Sequence, residues 1–170
     1  AVFLIDPKAP RLHLATRRHL NPTLRELCAE VPFGHCLCGQ AAAERKAIFR
    51  GHLDHGHDMT YPGILDHGHY CEPILSNDRL LGVLNLYVAA GHPGSDAERG
   101  FVKAVADTLA GLIERERMDA ERQRLATVIE ASPDLVGIVD TDGTPLYFNR
   151  AARELLGCDN PADLDSCRID

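Results

Sequence analysis

The chain has 170 residues, 45% of them apolar and 25% charged, which fills a core and excludes wholesale disorder. Acidic residues outnumber Lys and Arg by 25 to 18, and the net charge of −7 gives no electrostatic reason to bind a nucleic-acid backbone. No apolar run approaches the roughly 18 residues of a membrane span, and AVFLIDP lacks the basic and apolar regions of a signal peptide. Six cysteines, irregularly spaced, do not form a disulfide scaffold, so a reducing cytoplasm is the expected compartment. Histidine is the oddity: of nine, His52, His55, His57, His67 and His69 fall between positions 52 and 69.

Residues 1–6 predict a strand entered immediately, as in a chain cut from something longer. RLHLATR, 11–17, alternates polar and apolar like a half-buried antiparallel strand. Asn21-Pro22 predicts a helix start, with Leu24, Leu27 and Val31 on its inner face and Pro32 stopping it. A helix over 39–45 and a short strand near Ala47–Phe49 are expected next. Residues 50–68 hold four glycines and most of the histidines, and predict a long functional loop. Strands follow over Tyr70–Leu75 and Leu80–Ala89, joined by an SNDR turn, the second buried on both faces.

Ser95-x-x-Glu98 is a capping box that opens a long helix. Phe101, Val105, Leu109, Leu112 and Ile113 predict its apolar stripe, which Leu125, Val128 and Ile129 resume after a polar midsection. One helix over 96–131, roughly 50 Å long, is expected to bridge two units; two helices broken near Asp119 are the alternative. From Ser132 a strand over Leu135–Asp140, a turn at Asp142-Gly143, a strand over Leu146–Phe148 and a short helix between Asn149 and Gly157 are predicted. The expected fold class is α+β in three segments: 1–94, 95–131 and an incomplete 132–170.

The chemistry concentrates in two short motifs. In an extended CLCG segment, Cys36 and Cys38 would face one side with sulfurs roughly 6–7 Å apart, and a turn into a helix at Gly39 would bring them closer. A helix N-terminus there favours Cys38 as the thiolate. His67-x-His69-x-Cys71 also has period two. If the two segments converge, sulfur and imidazole ligands suited to zinc or iron come together, with cobalt or an iron–sulfur centre also open. His52, Asp54 and His57 in the loop would complete or cover that site. The plainer alternative makes Cys36 and Cys71 small buried hydrophobes and the histidines ordinary surface groups. His55 and Cys28 are expected to stand apart, Cys28 packing in a helix. Asp66, His67 and Glu72 offer acid–base groups, yet no nucleophile elbow, phosphate loop or dinucleotide fingerprint accompanies them.

AVFLIDPKAPRLHLATRRHL, VPFGHCLCGQAA and HYCEPILSNDRLLGVLNLYV, with the helix beyond, resemble a GAF domain over about residues 1–120 without its N-terminal helix. ASPDLVGIVDTDGTPLYFNRAARELLGC resembles the start of a PAS domain. The resemblance implies a GAF-like antiparallel sheet with flanking helices, then a long helix and a truncated PAS-like β-hairpin and helix. It also implies the sensory part of a bacterial histidine kinase, diguanylate cyclase or phosphodiesterase. CLCG with HGHYC resembles a GAF subgroup, which implies that Cys36, Cys38, His52, His57, His67, His69 and Cys71 line a pocket for a metal ion or another small ligand. VPFGHCLCG is also similar to free methionine-(R)-sulfoxide reductase, a GAF-fold enzyme. In that reading Cys38 attacks the sulfoxide sulfur and Cys71 or Cys36 resolves the sulfenic acid as a disulfide. The leading expectation is a non-catalytic cytoplasmic input module whose GAF pocket binds a metal or small ligand or responds to redox state. It would form a homodimer through helix 96–131 and act on an output domain of the same polypeptide, without touching nucleic acid. A dimerisation scaffold without a ligand is the bland alternative.

Overall fold

The computed structural model describes residues 1–157. The chain divides into two units, Ala1–Glu114 and the remainder from Arg115. Residues 158–170, with Cys158, Cys167 and the end of the expected PAS segment, lie outside the described residues.

The first unit contains β1 (Val2–Ile5), β2 (Arg11–Thr16), α1 (Pro22–Leu27), β3 (Glu30–Pro32), α2 (Cys36–Glu44), β4 (Ile48–Arg50), β5 (His67–Ser76) and β6 (Arg79–Ala89). Its strands form one antiparallel sheet in the order β3-β2-β1-β6-β5-β4. This is the expected α+β, GAF-like arrangement. The long β5–β6 hairpin fixes the rest. Asn77 and Asp78 both take positive φ, 46° and 61°, the tight two-residue turn that the SNDR segment predicts. Pairing then runs from Ser76↔Arg79 to His67↔Ala89.

Each sheet face carries its own core. Phe3, Leu12, Val31, Cys71 and Val83 pack with Leu24 of α1 and with Leu37, Cys38 and Ala41 of α2. On the other face Tyr70, Ile74, Leu81 and Leu84 pack against Val102, Ala106 and Ala110 of α3 (Asp96–Ala131). Consecutive residues Leu80–Asn85 of β6 are therefore all buried, as its broken alternation implied.

Three local expectations are corrected. α1 ends at Leu27, Cys28 serves as its C-cap, and Val31 sits in β3 instead of on the helix face. Pairing of Glu30–Pro32 with β2 exchanges intrahelical bonds for ladder bonds and covers the edge of β2, which a continued helix would leave open. The inner face of α3 is rotated from the stripe read in the sequence. Val102, Ala106 and Ala110 are buried, Phe101 and Leu112 are exposed, and Val105, Leu109 and Ile113 flank the core. Small side chains at four-residue intervals let helix and sheet approach, which the bulkier residues would prevent. Thirdly, CLCG is helical from Cys36 onward, not extended.

In the second unit α3 continues unbroken to Ala131, followed by β7 (Gly137–Val139), β8 (Pro145–Phe148) and α4 (Arg150–Leu156). Asn149, fully buried, organises this unit: its Oδ1 accepts from Val136 and Ala152 N–H, and its Nδ2 donates to the carbonyls of Ile129, Ser132 and Asp134. Gly157, with φ of 71°, ends α4 as expected. Among the described residues no helix is long and apolar enough to cross a membrane.

Candidate functional site

The edge of the first unit where β5 leaves β4 gathers the histidines. Strand alternation puts His67, His69 and Cys71 on the face that carries α1 and α2, and Tyr70 and Glu72 on the α3 face. Gly68 permits this: a Cβ there would sit 2.4 Å from the Arg50 carbonyl oxygen, so any other residue would force β4 away. Gly39 plays the same part beneath α2, where a Cβ would meet the Pro32 carbonyl oxygen at 2.2 Å.

The loop between β4 and β5 folds back and delivers His57. Asp58 accepts the Cys36 backbone N–H, Gln40 Nε2 donates to the Gly56 carbonyl, and Asp54 Oδ1 accepts Gly56 N–H. The Asp58 contact holds Cys36 at a φ of 52°, a conformation rare for a non-glycine residue. His57, His67 and His69 then lie together, with one ring nitrogen of each within 4.8 Å of the others. His57 stacks on His69 at a centroid distance of 4.9 Å, and Tyr87 closes against His69 at 4.6 Å.

The tautomers follow from the partners. His67 Nδ1 lies 2.6 Å from the Leu65 carbonyl oxygen and must donate to it, which leaves Nε2 as a bare lone pair. His69 Nδ1 donates to Asn85 Oδ1 at 3.2 Å and likewise bares Nε2. Both Nε2 atoms, and Nδ1 of His57, are buried without a hydrogen-bond partner. Three orphaned imidazole nitrogens in one place are costly unless a Lewis acid or ordered water meets them. Burial pushes His69 down to about 4, opposed by the Asn85 contact, and burial likewise lowers His57. Both rings are therefore neutral near pH 7, the state that ligates metal.

The sulfurs lie deeper. Cys38 Sγ is 3.7 Å from Cys71 Sγ and accepts a hydrogen bond from Asn85 Nδ2 at 3.0 Å. The Cys38 sulfur, together with burial, holds the Cys71 thiol well above its ordinary range, and burial raises Cys36. Cys36 and Cys38 leave α2 in different directions, since a helix turns about 100° per residue. Both nonetheless line a cavity of about 10 Å³ shared with His57, His69, Asn85 and Tyr87. An outer cleft of about 730 Å³ is lined by residues including Arg18, Tyr61, His67, Asn85 and Tyr87. His52 stands apart, exposed and paired with Asp66 at 2.7 Å, and Asp54 is held by Arg50. His55 is exposed, Cys28 is buried, and Glu72 lies across the sheet. The sequence reading missed Asn85, whose lone amide in the apolar run LLGVLNLYV was the available signal.

The GAF domain family model matches residues 1–114. The chain belongs to the GAF domain family. A PAS domain model matches residues 123–170. A GAF domain followed by PAS sequence makes the chain a sensory or regulatory module. The fold is similar to the GAF domain from Acinetobacter phosphoenolpyruvate-protein phosphotransferase, at 19% identity and a TM-score of 0.57, covering 69% of this chain and 71% of that one. It is also similar to free methionine-R-sulfoxide reductase from Neisseria meningitidis in complex with its substrate, at 23% identity and a TM-score of 0.55, covering 69% and 68%. No curated protein sequence matches the chain.

Proposed function

We propose that this chain is the sensory input part of a cytoplasmic bacterial signalling protein whose GAF unit binds a transition-metal ion through His57, His67 and His69. The observation that carries the reading is the set of three buried imidazole nitrogens that lack any protein partner. Tetrahedral zinc, at about 2.1 Å from each nitrogen, needs the three about 3.4 Å apart, a closure of at most about 1.4 Å from the present spacing. Leu65 and Asn85 supply the outer hydrogen bonds that orient metal-binding histidines in general. Imidazole donors suit zinc, iron or copper. Of the seven residues read from sequence, Cys36, Cys38, Cys71 and His52 are not ligands in this proposal.

The output domain, a histidine kinase or a cyclic-di-GMP enzyme, would act through α3. Exposed Phe101, Leu112, Met118, Leu125, Val128 and Ile129 support a parallel homodimer along that helix. Cobalt(II) and zinc titration of the untagged chain tests the metal reading. Near-stoichiometric binding is expected. His57→Ala, His67→Ala and His69→Ala should each weaken it by more than the about 10–100-fold typical of outer-shell losses, and His52→Ala should leave it unchanged. A metal-free chain that turns over free methionine sulfoxide with a thiol reductant would overturn the proposal.

A further inference from the structure

Cys38 and Cys71 stand in sulfur–sulfur contact at 3.7 Å, one on α2 and the other on β5. A disulfide spans about 2.05 Å, so the bond requires an approach of about 1.7 Å. Asn85 touches both this pair and the histidines: Nδ2 donates to Cys38 Sγ while Oδ1 accepts from His69 Nδ1. The donor order follows from the placement of the amide, whose oxygen faces the imidazole and whose nitrogen faces the sulfur. Cys38 is thus an acceptor, and the Cys71 thiol is the group left to donate to it. Asn85 and Tyr87 line both the outer cleft and the inner cavity that reaches Cys38.

We infer that Cys38 and Cys71 form a reversible disulfide on reaction with peroxide, and that its closure weakens metal binding at His57, His67 and His69 through Asn85. The second half rests on the metal reading above; the first does not. The Cys38 sulfur, deprotonated, attacks one oxygen of hydrogen peroxide. An S–O bond forms, the O–O bond breaks, and the leaving hydroxide takes up the thiol proton as water. The Cys71 sulfur then displaces the sulfenic oxygen: the S–S bond forms, the S–O bond breaks, and a second water carries away the Cys71 proton. Two thiols and one peroxide become one disulfide and two waters, and a dithiol reductant reverses the change. Once Cys38 Sγ turns toward Cys71, Asn85 loses its sulfur acceptor and its amide is no longer held in one orientation. The Nδ1–H of His69 then loses a fixed partner, the kind of outer contact whose loss costs about 10–100-fold in metal affinity.

The test uses the full chain, reduced and then treated with hydrogen peroxide in the presence of a chelator. Peptide mapping reads the thiol pairing, and after removal of chelator and oxidant a cobalt(II) titration reads affinity. A Cys38–Cys71 link is expected, with cobalt binding about tenfold or more weaker than in the reduced chain and restored by dithiothreitol. Cys71→Ser should bind cobalt like the reduced chain before and after peroxide. Mapping that finds no Cys38–Cys71 link overturns the pair, and it needs no variant to fold. A link that leaves cobalt affinity unchanged overturns the coupling through Asn85. Absence of cobalt binding in both states overturns the metal reading and the coupling with it, while the mapped link still decides the disulfide on its own.

Discussion

Acid should destabilise the GAF unit through one identifiable ring. His69 is 2% exposed, and burial pushes it down to about 4, against about 6.5 for a histidine in an unfolded chain. Where the unfolded chain has taken up a proton and the folded one has not, protons favour unfolding. The contribution is therefore intact above about pH 6.5 and is lost as the pH falls toward 4. The full window of about 2.5 units is worth about 3 kcal/mol, of which about 2 kcal/mol is gone by pH 5. His57 is lowered by the same cause and adds in the same direction.

The measurement is urea unfolding of the wild-type chain and His69→Asn, with chelator present, at about pH 7.5, 6 and 5. Asn keeps a donor near the position of Nδ1 but cannot titrate, so the comparison reads the pH slope and not the absolute stability. The wild type should lose about 2 kcal/mol more than the variant between the two extremes. Parallel pH profiles for the two proteins would show that His69 takes up a proton as readily in the folded chain as in the unfolded one, and would refute its assignment as a buried neutral ring.

Gly68→Ala should cost about 1–3 kcal/mol by driving a Cβ against the Arg50 carbonyl oxygen, seen as a lower urea midpoint and faster amide exchange in β4. Asn149→Ala removes an α4 cap and the donor to three carbonyls, and should lower the stability of the second unit by about 2 kcal/mol or more in denaturation. Tyr70→Phe removes the 2.9 Å hydrogen bond to Glu98 and should raise amide exchange in the first turns of α3. Asn85→Ala should weaken cobalt binding by about 10–100-fold while His57, His67 and His69 all remain.

Much of the fold is legible because its signals are local. The SNDR turn, the Asn21 and Asn149 caps and the Ser95-x-x-Glu98 box each rest on side chains a few residues apart; the first three recur, and of the box Ser95 Oγ accepts Glu98 N–H while the Glu98 carboxylate takes the Ser95 hydroxyl. The period-two spacing of His67, His69 and Cys71 is likewise a property of one strand. Other elements depend on contacts that sequence spacing does not carry. β3 exists because β2 is there to pair with it, and Val31 consequently leaves the helix read for it. The true face of α3 is set by how closely the sheet approaches, which selects alanines over the larger Phe101 and Leu112. The separation of His52 from His57 could not be read either, because Asp66 and Asp58 draw the two ends of the loop in different directions.

β5 is the element that joins the candidate site to α3. His69 lines the inner cavity and Cys71 touches Cys38, while Tyr70 between them points to the opposite face and donates to Glu98 near the start of α3. The same carboxylate accepts from Ser95 and contacts His92, so the first turn of the helix is gathered on one anion. Neighbouring residues of a strand are joined by planar peptides and cannot move independently over more than a fraction of their spacing of about 3.3 Å. A displacement of His69 toward a ligand, or of Cys71 toward Cys38, is consequently imposed on Tyr70. The hydrogen-bond acceptor it must follow or release is Glu98. Backbone continuity in this one strand therefore joins the histidine cluster to the start of the helix.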